Sequence, residues 1–456
     1  MSLPFLDRAE ERRRLDRFLK GPKGGLAVLY GRRRMGKSRL LLEVLPKAGA
    51  VYYAADLRDA HLQRSALAAE IARVVPGFDR PSWPDFDALF SALWEQAPAG
   101  FALAIDEFPF LVSSAPEIPG LLQKRLDAPN GRVRLLLCGS SQRMMQGLVL
   151  DRTAPLYGRA REILRVGPLP AGFAGVALGI SPEKAVEAFA VFGGVPRYLE
   201  LASEFRSLEE AVADLVLDPL GVLHGEPERL LLDDLRETAQ AASILSCIGQ
   251  GCHRLSEIAA RLGKPATSLS RPIQRLAEMD LVRRIRPFGA PEKDAKRSIY
   301  RIADPFLRFS FTFVAPNRSR LEARQVTSVW KETALRLPAF VSSAWEDLAR
   351  DSVSRLPLCG IEWKPASSWW GPGLSRIPME IDVVAESADR KSLLLGEAKW
   401  EEKTDFRRAA DELARKAADF PLAKGRNVRF ALFSKRPGKV PGLVVASASD
   451  VIRTMR

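Results

Sequence analysis

Residues 26–42 read LAVLYGRRRMGKSRLLL, and the meaning of that stretch decides the rest of the chain. Residues 26–30 are a short apolar run of strand character. Gly31, Arg32, Arg33, Arg34, Met35, Gly36, Lys37 and Ser38 make a polar turn, and residues 39–44, from Arg39 on, resume with helical spacing. G-x-x-x-x-G-K-S between a strand and a helix is the spacing of a phosphate-cradling P-loop. The chemistry dictates these residue types. Two glycines let the backbone turn tightly enough for its N–H groups to face phosphate oxygens. The start of the following helix adds unpaired N–H groups and a positive dipole end. Lys37 is placed for the β- and γ-phosphates of ATP, and the Ser38 hydroxyl for Mg²⁺. Residues 31–39 are therefore the expected nucleotide-binding stretch.

A P-loop that hydrolyses needs an acidic strand end downstream. FALAIDEF, residues 101–108, supplies one: an apolar run ends in Asp106 and Glu107. Asp106 is expected to hold Mg²⁺ through water, and Glu107 to orient and deprotonate the attacking water. RLLLC, residues 134–138, is the next strand, and Ser140 and Ser141 follow it. A polar side chain there either senses the γ-phosphate or caps the helix beginning at Gln142. Arg159, ahead of a strand at 162–166, either approaches a phosphate in the same or a neighbouring subunit or stays in a surface loop. A strand at 50–55 and helices at 9–19, 63–74 and 85–97 complete an α/β core over residues 1–167.

Residues 168–237 have helical patterning, broken where Gly193-Gly194-Val195-Pro196 forbids continuation, and suit a small lid. Over 238–302 the pattern changes to helices at 239–249, 255–262 and 267–282, then two short basic strands around a polar turn. That order is a winged helix-turn-helix. Ser268, Ser270, Arg271, Gln274 and Arg275 are expected to face a DNA groove, with Arg283, Arg284, Arg286, Lys293, Lys296 and Arg297 on the wing; the alternative is a purely structural winged helix. Residues 303–330 form an aromatic-rich connector.

The last part, 331–456, opens with a helix at 333–355 that contains Glu346. A strand is expected near 361–363, then a Trp-rich loop at 369–373. MEIDVVAES, residues 379–387, and SLLLGEAKW, residues 392–400, read as a hairpin. Glu397 and Lys399 share one strand face, and pairing brings Asp382 beside them. Two carboxylates with a strand-borne lysine form the D…E-x-K constellation of Mg²⁺-dependent nucleases, in which metal activates water and the lysine helps position it. Glu346 is expected to complete the metal shell. A helix at 405–418 and a strand at 427–433 follow; the bland alternative for the pair is a surface salt bridge.

The charge balance of 69 basic to 55 acidic residues, +14 overall, suits a polyanionic partner, nucleic acid before membrane. Four cysteines without a C-x-x-C point to free thiols in a reducing compartment. No run approaches the ~20 apolar residues of a membrane span. MSLPFLDRAEERRR lacks a signal-peptide core, so the expected location is the cytoplasm.

Taken together, these stretches resemble the archaeal-type ATPase family, P-loop proteins related to AAA+ and STAND NTPases, here fused to a winged helix and a C-terminal restriction-endonuclease-like domain. The resemblance is carried by FLDRAEE (5–11), YGRRRMGKS (30–38), AIDEF (104–108), CGSS (138–141), LYGRA (156–160), FGGVPRYL (192–199), DPFLRF (304–309) and GEAKW (396–400). It implies that Asp7-Arg8 and Pro196 border the adenine, and that Lys37, Ser38, Asp106 and Glu107 bind and hydrolyse ATP. Ser140 or Ser141 would be the sensor and Arg159 the arginine finger. Ser38 stands where threonine is commoner. The function it implies is an ATP-dependent, DNA-associated switch with a Mg²⁺-dependent nuclease domain, possible as a homo-oligomer. The alternatives are a non-cutting DNA-binding regulator and a STAND-like signalling switch.

Overall fold

The computed structural model describes residues 4–128, 131–234, 237–291, 294 and 297–456; Lys293 and Lys296 lie outside them. The chain forms two compact units, Asp7–Pro168 and Leu169–Arg456, the second including residues 4–6.

In the first unit, β1 (Gly25–Tyr30), β2 (Ala50–Ala54), β3 (Ala102–Asp106), β4 (Arg134–Gly139) and β5 (Ala160–Arg165) make a parallel sheet in the order β2-β3-β4-β1-β5. A parallel sheet is covered on both faces, so its central strands are apolar throughout rather than alternating. All five residues of β3 are buried. Leu26, Val28, Leu103, Ile105, Leu135 and Leu137 pack with Phe86, Phe90, Phe101 and Phe108. The edge strand β5 alternates instead, and turns the buried Glu162 toward the helix Ala9–Lys20, where Arg14 (2.7 Å) and Arg17 (2.8 Å) donate to it.

The second unit begins with helices Gly172–Leu178, Pro182–Phe192 and Pro196–Ala202. The expected break between the last two is real. Gly193 takes φ 63°, and a Cβ on Gly194 would lie 1.8 Å from the Leu169 carbonyl oxygen. Helices Thr238–Gly249, Leu255–Leu262 and Ala266–Glu278 then pack with the antiparallel pair β6 (Val282–Ile285) and β7 (Ile299–Ile302) around Ile244, Ile258, Leu269, Ile273 and Ile302. The 27-residue helix Val326–Ser352 leads into a five-stranded sheet: β8 (Ser367–Pro372), β9 (Pro378–Glu386), β10 (Ser392–Lys399), β11 (Asn427–Ser434) and β12 (Leu443–Ser447), in the order β12-β11-β10-β9-β8. β9 runs antiparallel to β8 and β10; β10, β11 and β12 are parallel.

This sheet corrects two expectations. The strand placed near 361–363 is not one; Trp363 makes only an isolated bridge with Ser387. The Trp-rich stretch taken for a loop is β8. Gly371 and Pro372 suggest a turn, but β8 is an edge strand, where a missing N–H and a missing side chain are tolerated. Trp369 is buried edge-on against Phe420, 4.9 Å between ring centroids, and anchors the strand. No helix among the described residues is long and apolar enough to cross a membrane.

Candidate nucleotide site and carboxylate pair

β1 delivers the chain to Gly31, whose φ of 150° brings the backbone so close to Val166 that an added Cβ would lie 2.2 Å from its carbonyl oxygen. The turn through Arg32–Met35 ends at Gly36, φ 83°, which caps the helix Lys37–Val44. Lys37 is buried, and its Nζ donates to the carbonyl oxygens of Gly31 (2.7 Å) and Arg32 (2.9 Å). Burial pulls its ammonium below the usual lysine range, against Cys138, Glu107 and Asp106, which favour the charge. Arg32 and Met35 are buried, whereas Arg33, Ser38 and Arg39 are exposed and Arg34 is intermediate.

β3 and β4 bring the acidic end into register with this loop. Asp106 is buried, yet its carboxyl lies below the usual range. Burial pushes it up, and hydrogen bonds with Cys138, Ser38, Tyr52 and the Glu107 backbone outweigh that. The Tyr52 hydroxyl donates to Asp106 Oδ2 at 2.8 Å, and the Glu107 N–H to Oδ1 at 3.0 Å. Glu107, at φ 50°, turns its Oε2 to Ser140, accepting from the hydroxyl (2.9 Å) and the N–H (3.3 Å). The two roles weighed for the serines therefore fall to different residues: Ser140 faces Glu107, while Ser141 Oγ accepts the Met144 N–H (3.3 Å) at the helix start.

Arg8 is buried under the loop. Its guanidinium donates to the carbonyl oxygens of Met35 (3.1 Å) and Gly167 and to Glu11 (3.2 Å). Those partners make it a brace for the P-loop backbone. Arg159 cannot serve a phosphate in its own subunit, which corrects half of that expectation. β1 and β5 are parallel with Leu26 opposite Ala160, so Arg159 stands level with the start of β1, while the P-loop leaves the other end. A strand this long separates those ends by roughly 16–20 Å. The Arg159 side chain donates instead to Asp127 through Nε and Nη2, both at 2.8 Å. Pro196 opens a helix of the second unit.

In the second unit, Gly396 pairs with Val383, so the next step of the register sets Glu397 opposite Asp382. Asp382 Oδ2 accepts the Ala398 N–H at 2.9 Å. Glu397 is buried; Lys416, from the helix Phe406–Asp419, donates to its Oε1, and Lys399 lies 3.7 Å from Oε2. Burial, with Asp382 adding, pushes the Glu397 carboxyl up. Glu346 is likewise pushed up to about 7 by burial and by Asp382. It does not complete a metal shell: among the described residues no three His, Cys, Asp or Glu side chains are grouped to hold a metal. Its carboxylate instead lies between Arg301 (3.8 Å) and Arg350 (3.9 Å).

The expected DNA-facing residues divide. Ser268, Ser270, Arg271, Gln274 and Arg275 are exposed on the helix Ala266–Glu278, opposite buried Leu269, Ile273 and Leu276. The strand arginines are mostly engaged. Arg283 donates to Asp347, Arg284 to Ser298 Oγ (2.8 Å) and the Asp294 carbonyl (2.8 Å), and Arg297 to the Asp294 carboxylate (2.7 Å).

Residues 5–202 match a family described as an ATPase domain predominantly from Archaea. The chain carries an archaeal-type ATPase domain. Residues 310–410 match a second family, described as archaea bacterial proteins of unknown function. An uncharacterized protein of Methanocaldococcus jannaschii is 28% identical over 416 residues, 88% of each chain. Among solved structures, the Walker-type ATPase of Pyrococcus abyssi matches with a TM-score of 0.50 and 22% identity, over 67% of this chain and 96% of that one. That likeness is one of fold.

Within the ATPase domain, sequence reasoning missed Tyr52. Its signal was the AVYYA strand: β2 lies beside β3 with Tyr52 opposite Ala104, so a tyrosine there reaches the acidic strand end. The arrangement gathers a buried lysine, a carboxylate held ionised by its hydrogen bonds, and a second carboxylate tied to the neighbouring strand. Those are the groups needed to grip a triphosphate and act on a water beside it.

Proposed function

We propose that this protein is an ATP-hydrolysing switch that acts on DNA. The observation that carries the reading is the meeting of Lys37 and Ser38, at the start of the helix after β1, with Asp106, at the end of β3, on either side of β4, with Glu107 tethered to Ser140. The site fits its group. The loop passes where no side chain can intrude at Gly31, and the buried Lys37 ammonium donates to two loop carbonyls, with Asp106 and Glu107 near enough to favour its charge. Lys37 and the loop N–H groups would hold the phosphates of ATP, with Ser38 and Asp106 holding Mg²⁺. Bound ATP supplies the phosphoanhydride to be hydrolysed. Glu107 takes the proton of the attacking water on its carboxylate, and Ser140 fixes the direction in which that carboxylate points. Lys37→Ala should abolish nucleotide binding and turnover; turnover that survives it would refute the site.

The DNA reading rests on the three helices and hairpin of residues 238–302, taken as a winged helix with Arg271 and Arg275 on its exposed helix. Phosphate-driven binding falls steeply with salt. A gel-shift over a salt series tests it, and absence of retention at low salt would leave the signalling-switch reading.

For the C-terminal sheet, the Asp382–Glu397–Lys399 pattern supports a Mg²⁺-dependent nuclease. The clasp of Lys416 on Glu397 favours the non-cutting alternative, because it fills one carboxylate with a protein cation. Plasmid incubated with protein, Mg²⁺ and ATP decides between them: cleavage that disappears in Asp382→Ala restores the nuclease reading.

A further inference from the structure

The hairpin β6–β7 turns part of its charge inward, onto the helix Val326–Ser352. There Asp347, half-buried, accepts from Arg283 and Arg350, with Arg308 at 3.6 Å and Arg301 at 3.9 Å. Four guanidinium groups thus converge on one carboxylate. The neighbouring acids do not balance them, since burial pushes both Glu346 and Asp351 toward their neutral forms. Arg283 Nε, Arg301 Nη1 and Arg308 Nε are buried without a hydrogen-bond partner among the described residues. Buried donors on cations are costly to leave unfilled, and an anion is what fills them.

One cleft reaches the Arg283, Asp347 and Arg350 side of this cluster, while Arg301 and Arg308 lie behind its lining. It measures about 330 Å³ and lies between residues 283–290 on one side and Asp347, Arg350, Asp351 and the start of β8 on the other, and burial pushes the Asp351 carboxyl toward its neutral form. The Phe288 N–H donates to the Ser368 carbonyl at 2.8 Å, which fixes the two walls against each other. Ser367 and Ser368 add hydroxyls to the lining. Arg286, half-buried in the same lining, has no hydrogen bond or ion pair among the described residues. Arginine rather than lysine suits a tetrahedral oxyanion, because its planar fork donates two parallel bonds.

We propose that this cleft binds a phosphate group, and that the group is a backbone phosphodiester of DNA. The phosphate site stands on the cleft itself; the choice of DNA as its source rests on the DNA reading above. The full chain is tested in two assays. Thermal unfolding is followed in inorganic phosphate against chloride at equal ionic strength. Fluorescence anisotropy of a labelled duplex is followed over a salt series. The variants are Arg286→Ala, Arg286→Lys, and Arg271→Ala on the exposed helix. Phosphate should raise the unfolding temperature of the parent but not of Arg286→Ala. Arg286→Ala should weaken the duplex several-fold and flatten the logarithmic salt slope by about one, the loss of one phosphate contact. Arg286→Lys should recover the slope but not the full affinity. Without phosphate all three should unfold with the parent, since Arg286 holds nothing in the fold. An Arg286→Ala protein that keeps both the phosphate shift and the parent slope overturns the cleft, even where Arg271→Ala weakens DNA. A phosphate shift that depends on Arg286, with no duplex bound at any salt, upholds the cleft and overturns DNA as its source.

Discussion

Replacing Arg8 with alanine should loosen the nucleotide loop from behind. Arg8 is 6% exposed, and its guanidinium donates to the carbonyls of Met35, inside the loop, and Gly167, at the end of the same unit. Hydrogen bonds from a charged donor contribute about 1.5–3 kcal/mol each, and a buried carbonyl left without a donor costs the upper part of that range. Two carbonyls lose their donor, and water enters the vacated space for at least one, so a loss of roughly 3 kcal/mol is expected for this unit. In a domain of this size each kcal/mol moves the midpoint by about 2–4 °C, giving a fall of about 6–12 °C. The Met35 carbonyl would be free to turn, so affinity for a fluorescent ATP analogue should fall about tenfold. Arg8→Lys, with one compact ammonium for two carbonyls, should recover part of both losses. Differential scanning calorimetry of the full chain and a nucleotide titration check this. The opposite role, an arginine bordering the adenine, predicts an unchanged midpoint with weaker ATP binding and an altered preference between ATP and GTP. That result would refute the brace.

Tyr52→Phe removes the hydroxyl donating to Asp106. Turnover should fall roughly fivefold to tenfold, the worth of about one hydrogen bond, with the Mg²⁺ half-saturation rising and the unfolding midpoint nearly unmoved; unchanged Mg²⁺ dependence would show that Tyr52 does not position Asp106. Arg159 stands at the sheet edge away from its own loop, so any catalytic role must be exercised on a second copy. Mixing Arg159→Ala with Lys37→Ala should then restore part of the turnover each lacks alone, and no restoration at any ratio would return Arg159 to its pairing with Asp127. Glu346 has a folded pKa of about 7, above its ordinary 4.5. A raised carboxyl contributes stability fully below about 4.5 and loses it as pH rises through about 7. The midpoint of the second unit should therefore fall over that window, and Glu346→Gln should flatten the fall; parallel pH curves for parent and variant would contradict the assignment.

The first unit was legible because its physics is local. A P-loop is a run of consecutive residues whose backbone does the work, and buried parallel strands announce themselves as unbroken apolar runs. Lys37, Ser38, Asp106 and Glu107 could be named from spacing, and β1, β3 and β4 bring them together. Arg8 and Tyr52 could not. Arg8 acts through a carbonyl 27 positions away, and Tyr52 through a strand that only the sheet order makes a neighbour. Whether Arg159 acts in its own subunit or a neighbouring one was open for the same reason: chain order says that it follows the sensor strand, but only the parallel register tells which end of the sheet it occupies.

In the second unit the limit is electrostatic. A basic hairpin in a sequence suggests charges facing a polyanion, and for the helix Ala266–Glu278 exposure agrees with that. Whether Arg283 faces out or in depends on Asp347, more than 60 residues later, which no local pattern can supply. The same holds for the carboxylate pair. Period-2 spacing set Glu397 and Lys399 on one face and pairing set Asp382 opposite, but the partner that decides the chemistry of Glu397 is Lys416 on a separate helix. A lysine placed against a buried carboxylate both neutralises it and denies its oxygen to a metal. A metal-dependent reading therefore requires that Lys416 withdraw when Mg²⁺ arrives, and Lys416→Met makes that requirement visible. With the clasp gone, buried Glu397 and half-buried Asp382 repel with Lys399 alone beside Glu397, so the variant should unfold at lower temperature in chelator and regain stability in millimolar Mg²⁺. If added Mg²⁺ gives the variant no more protection than it gives the parent, Asp382 and Glu397 do not form a cation site, and the C-terminal domain holds DNA or a partner without cutting.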